Sequence, residues 1–436
     1  FFMEMSGLYA QERNASLSAG PMVSLPARID TLIIVGNEKT KSYIISREIP
    51  FTFPDTLDKK DFQLIQNRLQ NLYLFNRVEL LLSPFGGQNA LIVMVTESWY
   101  FFPAPILFIN ERDWSKISYG MQVSHYNFRG RNEKLSFGGW LGYNPSYYLN
   151  YFNPWVGRKS RIILGFSLSR NQVANKIFDF KERRSSFGFT IGRKHTLNLQ
   201  TQFSFSIQNV ILPSEYRDYS YSGNGRDWVP TFTYELIWDR RDLFEYPKKG
   251  FYLRYQIRRV GITKKEPRFW RFETDNRIYL PVYKQTSLGF RNLLVLNKGE
   301  LPIYDQVFLG YSERIRGYFD KVLPAPETFR EYNSAKLSLS SVEFRFPILP
   351  VKYFSWDSAP LFSSLYRNLK FGISGGIFFD SGIVWQDKSQ FALPNFYSGY
   401  GAGLHFHLPY VYVLRLEYAW NDKGQGQYIV DMGVSF

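Results

Sequence analysis

One short segment of the sequence has the spacing of a hydrolase nucleophile. Gly372, Ser374 and Gly376 satisfy the pattern G-x-S-x-G, and Asp380 follows within a D-S-G triplet. A serine nucleophile of this kind needs a strand, a sharp turn and then a helix, so that its hydroxyl stands clear of the backbone. Ser374 instead lies inside an unbroken alternating run with no helical pattern after it. We therefore expect no serine hydrolase chemistry.

The histidines and cysteines also offer little chemistry. The chain has no cysteine, which excludes disulfides, thiolate nucleophiles and thiolate metal sites. His405 and His407 share one face of a strand-like run, but no pair of histidines has the spacing of a helical metal site. No phosphate-binding loop stands out. The sequence therefore predicts a protein that is not an enzyme and that has no catalytic residue, no metal site and no cofactor.

The most unusual polar segment is YSERIRGYFD, residues 311–320. It places Arg316 next to Gly317 and Tyr318, between two strand-like runs, and it is too long for a hairpin turn. A guanidinium can bind two carboxylates with its planar fork, and a glycine permits a tight turn or a close backbone approach. On spacing alone, the segment is more typical of a surface loop with an incidental arginine.

The composition indicates which elements must hold these residues. Aromatic residues make up 19% of the chain, yet charged residues make up 21% and no long apolar run is present. A helical membrane protein would show apolar runs of roughly 18 residues or more, whereas a transmembrane β-barrel hides its apolar face in alternating strands. The net charge of +15 comes from scattered Lys and Arg, which favours pore-lining or loop positions, then anionic lipid, and disfavours nucleic acid.

From Trp99 onward the sequence alternates with a period of two. In PTFTYELIWD, for example, Phe232, Tyr234, Leu236 and Trp238 point one way and polar residues the other. About sixteen segments of this kind follow one another, and an even number is typical of closed antiparallel barrels in the outer membrane. Their length and terminal aromatic residues distinguish them from the shorter strands of a soluble sandwich. We expect a sixteen-stranded antiparallel barrel over residues 99–436.

The first quarter of the chain has a different pattern. Residues 28–98 predict a small α+β domain of order β-α-α-β-β, in which Asp58 caps a helix with apolar residues at helical spacing. Residues 11–27 are polar and predict a linker. Residues 1–10 are similar to the end of a secretory signal peptide, although an ordinary disordered terminus is also consistent with them.

Taken in order, these segments resemble the BamA/TamA superfamily of outer-membrane assembly factors and two-partner-secretion transporters. The carriers of the resemblance are WDRRDLFEYPKKGFYLRYQ (with Asp239, Asp242, Pro247 and Gly250), FLGYSERIRGY, SVEFRFPI and GGIFFDSGIVW. Each motif is weak alone, but their order is specific. The resemblance implies that residues 28–98 form a POTRA domain in the periplasm of a bacterium. It also implies that the terminal Phe436 belongs to an outer-membrane targeting signal.

The resemblance implies a role for Arg316. In the family, the loop that carries this motif folds back into the barrel, and its arginine pairs with acidic residues on the inner wall. Here Asp380 and Glu343 can serve as these partners, while Tyr318 packs against the wall. Leu337 and Leu339 have the same parity as Glu343, so we expect a β-bulge near Ser340 and Ser341 to restore the phase.

The function implied by the resemblance is the insertion or export of proteins. The POTRA domain would receive unfolded outer-membrane or secreted clients, and the barrel would pass them on without a cofactor. Outer-membrane lipids including lipopolysaccharide, and accessory lipoproteins, are the other partners that the resemblance implies. The alternative is a passive channel or structural barrel that has kept a POTRA domain.

Two further sites follow from strand edges. Val78, Leu80, Leu81 and Leu82 form a short apolar run that predicts an edge where an extended client docks, unless it is a plain core strand. The barrel must also close its first strand on its last. Pro103 and Pro105 cannot donate ladder hydrogen bonds, and Gly433 and Phe436 end the last strand, so we expect a weak lateral seam. The two prolines are also consistent with a simple start to the barrel.

Overall fold

The computed structural model describes residues 25–109, 114–310, 315–318, 321–325, 335–356 and 365–436. They form a small α+β domain followed by a sixteen-stranded antiparallel sheet. Residues 1–10 and most of the linker predicted at 11–27 lie outside this range. Among the described residues, no helix has both the length and the apolar character to cross a bilayer.

The N-terminal domain contains one three-stranded sheet and two helices. Its elements are β1 (Ala27–Ile29), β2 (Thr31–Val35), α1 (Ser42–Ser46), β3 (Asp55–Leu57), α2 (Lys59–Gln70), β4 (Phe75–Phe85) and β5 (Gln88–Glu97). The sheet order is β2-β5-β4, with β2 parallel and β4 antiparallel to the central strand. The two short strands β1 and β3 pair with each other, and the sequence pattern did not reveal them.

Helix α2 begins where the sequence predicts. The Asp58 side chain accepts hydrogen bonds from the backbone N–H groups of Lys60 and Asp61, and the Asp61 carboxylate accepts one from the backbone N–H of Asp58, which completes a capping box. Ile65 and Leu69, one turn apart, are buried against the sheet together with Ile44, Leu91 and Val93. This apolar layer gives the small domain its own core.

The barrel strands follow one another in sequence order. They are β6 (Phe101–Ile109), β7 (Ile117–Phe128), β8 (Glu133–Gly142), β9 (Ser146–Val156), β10 (Ile162–Ala174), β11 (Lys181–Lys194), β12 (Leu199–Ile211), β13 (Arg226–Asp239), β14 (Gly250–Val260), β15 (Phe269–Pro281), β16 (Ser287–Gly299), β17 (Lys336–Phe354), β18 (Leu369–Trp385), β19 (Tyr397–Leu408), β20 (Tyr412–Asn421) and β21 (Gly426–Met432). Each neighbouring pair is antiparallel, so the expected sixteen-stranded architecture is confirmed.

The two faces of the barrel wall differ as the alternation predicts. On β13, Tyr234 and Trp238 are exposed on the outer face, where a bilayer would cover them. Glu235 lies on the opposite face, where it accepts a hydrogen bond from Arg254 of β14 at 2.7 Å. The outer surface is therefore apolar and aromatic, and the lumen is charged.

The predicted β-bulge on β17 is wrong. Ser340 pairs with Ser381 and Ser341 with Asp380 in a continuous register, and the shifts in this strand come later, beyond Pro347. Leu337 and Leu339 point into the lumen on the same face as Glu343 and are almost fully buried. They are apolar because they pack against an infolded loop, so no change of phase is required.

That loop lies between β16 and β17 and fills part of the lumen. Its described residues include Leu309, Ile315 and Tyr318, which form one buried cluster with Leu337 and Leu339 of the wall. Residues 311–314 and 319–320 of the YSERIRGYFD segment lie outside the described residues. The cluster gives the barrel an apolar core at the end away from the N-terminal domain.

Candidate functional site in the lumen and at the seam

Arg316 is held inside the barrel by Asp380. The Nε and Nη2 atoms of Arg316 donate to the two carboxylate oxygens of Asp380, each at 2.8 Å, and the Arg316 backbone N–H donates to the same group at 3.1 Å. This is the bidentate geometry that a planar guanidinium favours. The loop is therefore fixed to β18 by both its side chain and its backbone.

Two more carboxylates complete the shell around Arg316. Its Nη1 atom donates to Glu343 at 2.5 Å and to Glu417 at 3.2 Å, and its guanidinium lies 3.5 Å from the centroid of the Phe378 ring. Burial lowers the pKa of Arg316, but the nearby Asp380 and Glu343 carboxylates more than offset this, so its pKa is raised. The group is therefore a fixed positive charge.

Arg345 and Arg415 balance the acidic side chains of this cluster. Arg345 donates to Glu343 at 2.7 Å, and Arg415 donates to Glu417 at 2.9 Å. With Arg316, three buried arginines thus face three buried carboxylates. Buried charges persist only when they are paired and hydrogen-bonded, as they are here.

The structure brings Arg316, Asp380 and Glu343 together, and the sequence reasoning missed Glu417, Arg345 and Arg415. The available signal was parity: Glu417 and Arg415 occupy the polar face of β20, and Arg345 follows Glu343 at an interval of two. Parity shows which residues face the lumen but not which of them meet. We call these six residues the lumenal ion cluster.

Gly317 and Tyr318 position the loop next to Arg316. Gly317 has φ +98°, and a Cβ atom there would lie 2.9 Å from the backbone oxygen of Trp420 on β20. This combination of positive φ and close approach explains the glycine. Tyr318 is buried and donates a hydrogen bond to Asp422 in the loop that follows β20.

Residues 433–436 leave the wall and turn into the lumen. Strand β21 ends at Met432, and the Ser435 hydroxyl donates to Glu343 at 2.8 Å. Phe436 is buried, stacks on Tyr279 of β15, and accepts a hydrogen bond from Arg345 through its backbone oxygen at 3.1 Å. The expectation that Phe436 ends the last strand is therefore wrong, because its ring fills space beside the lumenal ion cluster.

The first and last strands do not form a backbone ladder among the described residues. The backbone oxygen of Tyr100, the residue before β6, accepts a hydrogen bond from the backbone N–H of Tyr126 on β7. The backbone polar groups of Tyr100 therefore point to β7. Because this direction alternates along a strand, Phe101, Pro103 and Pro105 direct their backbones to the seam.

The seam edge of β6 is therefore short of hydrogen-bonding groups. Pro103 and Pro105 have no N–H to offer, and the carbonyl of Phe101 already accepts from the indole of Trp99. The opposite edge is different. Gly433, whose φ is +83°, donates to Val413 of β20, so the alternate residues Tyr428, Val430 and Met432 direct their backbones to the seam.

The predicted docking run lies on β4, an edge strand of the N-terminal sheet. The backbone oxygen of Asn89 on β5 accepts a hydrogen bond from the backbone N–H of Asp30, so the backbone polar groups of Asn89 point toward β2. Those of the next residue along β5, and of every second residue after it, point toward β4. Leu81, paired with Ile92, therefore directs its N–H into the sheet. The N–H groups of Val78, Leu80 and Leu82 point to the free edge, while the Leu81 side chain is exposed.

The N-terminal domain contacts turns around one mouth of the barrel. Thr40 bonds Asn127 beside the β7–β8 turn, and Arg68 bonds Asn198 in the β11–β12 turn, each at 2.9 Å. Further contacts join Asn71 to the β13–β14 turn and Asn76 to the β17–β18 turn. The domain therefore lies across this mouth.

The β13–β14 turn, residues 240–249, connects that domain to the lumen. Asn71 of the C-cap of α2 donates to the backbone oxygen of Asp242 at 3.0 Å and accepts from the backbone N–H of Phe244 at 2.8 Å. Tyr246, in the same turn, is buried in the barrel, bonds His405 at 2.8 Å and lies 5.0 Å from the Arg345 guanidinium. Burial raises the pKa of Tyr246, so its hydroxyl is neutral. This turn belongs to the WDRRDLFEYPKKG motif.

Ser374 does not lie in a nucleophile elbow. It is part of β18, and its hydroxyl bonds the Nε2 atom of His407 at 2.9 Å, a contact that the sequence did not reveal. Within the described residues, His407 has no carboxylate bonded to its other nitrogen. The pair therefore lacks both the turn and the orienting acid of a hydrolase site.

Comparison with known proteins decides the family. The sequence profile of the Omp85 superfamily domain matches residues 127–436, which is more than half of the chain. The chain belongs to the Omp85 superfamily. A comparison with curated protein sequences returned no match.

Solved Omp85 structures have the same fold. BamA from Haemophilus ducreyi lacking POTRA domains 1–3 superimposes with a TM-score of 0.54 at 16% identity, covering 93% of this chain and 83% of that one. CdiB from Escherichia coli superimposes with a TM-score of 0.56 at 12% identity, covering 94% and 75%. The predicted superfamily is thus confirmed. This Omp85 barrel is an outer-membrane protein of a superfamily that serves protein insertion or secretion in general.

Proposed function

We propose that this Omp85 protein inserts or translocates unfolded client proteins at the bacterial outer membrane. In this proposal the N-terminal domain is a POTRA domain in the periplasm that receives the clients. The barrel then passes them on through the seam between β6 and β21, and the lumenal ion cluster holds the Arg316 loop in place. No cofactor takes part, because client folding and burial in the bilayer supply the free energy.

The observation that carries the proposal is the unpaired seam. A long exposed strand edge templates the addition of another strand, and natural barrels remove such edges by full closure. Here β21 offers the backbones of Tyr428, Val430 and Met432, whereas β6 opposes them with Pro103 and Pro105. An incoming client strand with all its N–H groups would pair with β21 better than β6 does.

The structure disfavours the alternative of a passive channel. The Arg316 loop and residues 433–436 occupy the lumen, and the N-terminal domain contacts turns around one mouth. A passive pore needs an open path, and each of these three features obstructs it. The infolded groups are instead suited to stiffening a barrel whose wall is incomplete.

The edge of β4 supplies the first contact for the client in this proposal. An extended chain can add to a free strand edge through backbone hydrogen bonds, with little demand on its sequence. Val78, Leu80 and Leu82 provide the edge N–H groups, and Pro84 ends the free run of donors. The proposed docking segment is therefore about three edge positions long.

Controlled depletion of the protein from its host tests the proposal. We expect quantitative proteomics of purified outer membranes to show the loss of other barrel proteins if the clients are inserted, or of a secreted protein if they are exported. Re-expression of the wild-type protein should restore them. Unchanged membrane and secreted proteomes after full depletion would contradict the proposal and support a structural barrel.

A further inference from the structure

The outer wall of the barrel carries an open depression of about 560 Å³ across β9 to β13. It lies toward the end of the barrel away from the N-terminal domain, since Tyr147 and Trp228 are near the starts of β9 and β13. We call it the rim groove. Its outward-facing lining runs from Tyr147 on β9 to Trp228 on β13. A smooth lipid-facing wall would not need such a concavity.

The register of the strands arranges these side chains in layers. The lower layer is apolar, with Leu149, Leu168, Phe187 and Ile207 side by side on four successive strands. The middle layer is polar at its centre and aromatic at its ends: Arg170, Ser185 and Asn209 lie between Tyr147 and Trp228. The small Ser185 side chain leaves the centre of the groove open.

A basic layer lies above the groove. Arg183 and Arg226 both pair with Ile211 of β12, so they lie on the outer face two strands apart. Arg183 is also the diagonal neighbour of Arg170, because Arg170 pairs with Ser185. Diagonal neighbours on one face are about 7–8 Å apart. Two exposed guanidinium groups can therefore reach one anionic group from different sides.

Within the described part of the chain, Arg170 and Arg183 have no carboxylate partner. The neighbouring Arg184 differs from them, because it points into the lumen and forms an ion pair with Glu182. The Nδ2 atom of Asn209 in the groove is buried and donates to no described group. The groove thus combines unneutralised positive charge with an unused hydrogen-bond donor, which is unusual on a face that meets lipid.

We propose that the rim groove binds a phosphorylated lipid with several acyl chains in the outer leaflet, the chemistry that lipopolysaccharide presents. Arginine forks suit phosphate oxygens, and the Asn209 amide can donate a further hydrogen bond. The apolar layer spans β9 to β12, roughly 14 Å at a strand spacing of about 4.8 Å. This is wider than one acyl chain, so a lipid with several chains fits best.

A lipid held there would fix the wall at β9 to β13 in the outer leaflet while the seam between β6 and β21 changes. The groove lies several strands away from both seam edges along the sheet. Its binding reaction does not depend on client insertion, so the inference stands apart from the proposed function. The bound lipid would hold the β9–β13 side of the barrel in place in the membrane.

The test measures lipid binding to the full chain purified in mild detergent. Native mass spectrometry would titrate bisphosphorylated hexa-acyl lipid A, the same lipid without phosphates, phosphatidylglycerol and inorganic phosphate. We expect lipid A with both phosphates to bind at least tenfold more tightly than each of the others. Arg170→Gln with Arg183→Gln should weaken it by about tenfold, or ~1.4 kcal/mol.

Two further variants make the test decisive. Arg161→Gln with Arg193→Gln removes the same charge near the opposite end of the wall and should leave binding unchanged. Ser185→Phe keeps the charge but fills the groove, and it should weaken binding as the arginine pair does. Equal binding of lipid A to all variants, an equal loss in the Arg161 and Arg193 control, or equal affinity for phosphatidylglycerol would overturn the proposal.

Discussion

Three carboxylates rather than two hold Arg316, and this determines what its loss would do. Asp380 takes two of its donors, and Glu343 and Glu417 share a third. Removing the guanidinium would leave the buried Asp380 carboxylate without its cation, while Glu343 and Glu417 would keep Arg345 and Arg415. Breaking a buried ion pair by deleting one partner costs about 3–5 kcal/mol, because the remaining charge is uncompensated.

We therefore expect Arg316→Ala to lower the stability of the folded barrel by up to about 3–5 kcal/mol, while the wall still forms. The temperature at which the compact band converts to the unfolded band in semi-native electrophoresis measures this effect. Arg254→Ala is the matched control. Arg254 is also lumenal and pairs with Glu235 and Glu273, but it is one quarter exposed. An equal shift for both variants would show that the lumenal ion cluster has no special role.

At the scale of elements, the seam depends on which backbone groups each edge strand retains. Pro103 and Pro105 both remove a donor from the seam side of β6, and alternate residues would have removed donors from the β7 side instead. The wall therefore keeps a sound β6–β7 ladder and a poor seam. Because Pro103 and Pro105 are two residues apart on one strand, both missing N–H groups lie on the same edge of β6.

Replacing both prolines should strengthen the seam. Pro103→Val with Pro105→Val restores two N–H groups, each worth about 0.5–1.5 kcal/mol when a hydrogen bond forms. We expect slower amide exchange in β6 and β21 and slower client assembly in proteoliposomes. Pro230→Val, in the continuous wall at β13, is the control for losing a proline. If exchange slows and assembly keeps its normal rate, lateral opening is not the route of the client.

The edge of β4 permits a similar test of client docking. Leu82→Pro removes an N–H group that points to the free edge, which an edge strand tolerates. Leu82→Ala loses the same side chain but keeps the N–H. We expect site-specific crosslinking to an unfolded barrel client to fall with Leu82→Pro and to persist with Leu82→Ala. Equal crosslinking of the two variants would exclude backbone addition at this edge.

At the scale of the whole molecule, a continuous set of contacts joins the N-terminal domain to the lumen. Asn71 holds the β13–β14 turn, Tyr246 of that turn contacts His405 and Arg345, and Arg345 bonds both Glu343 and Phe436. A contact chain does not by itself prove energetic coupling. It does identify Asn71 as a residue through which the N-terminal domain binds the β13–β14 turn.

Asn71→Ala should weaken the attachment of the N-terminal domain to the β13–β14 turn. It removes two hydrogen bonds, which together contribute about 1–3 kcal/mol. We expect a broader distance distribution between spin labels placed on α2 and on a barrel turn, measured by pulsed electron paramagnetic resonance. Gln63→Ala is the control, because Gln63 lies on the same helix and, among the described residues, its side chain bonds only Asn67 of that helix. An unchanged distribution in Asn71→Ala would show that other contacts fix the domain.

The period of each element and the direction of its side chains can be read from the amino-acid sequence. Alternation with aromatic residues on one face was sufficient to predict the barrel, and Asp58 was sufficient to place the start of α2. Arg316 with Gly317 marked the loop that enters the lumen. These features are local, since each follows from neighbours a few residues apart.

Which side chains come into contact depends on the three-dimensional fold. The alternation of β20 predicts that Glu417 faces the lumen, but it does not predict the contact with Arg316, which is about a hundred residues away in the sequence. The same limit produced the error at β17, where Leu337 and Leu339 face inward because the loop covers them. Phe436 also has the parity of the outer face, yet its backbone leaves the strand and carries the ring inside. Contacts across a lumen depend on how far loops and strand ends fold into it, and a periodic pattern contains no information about that depth.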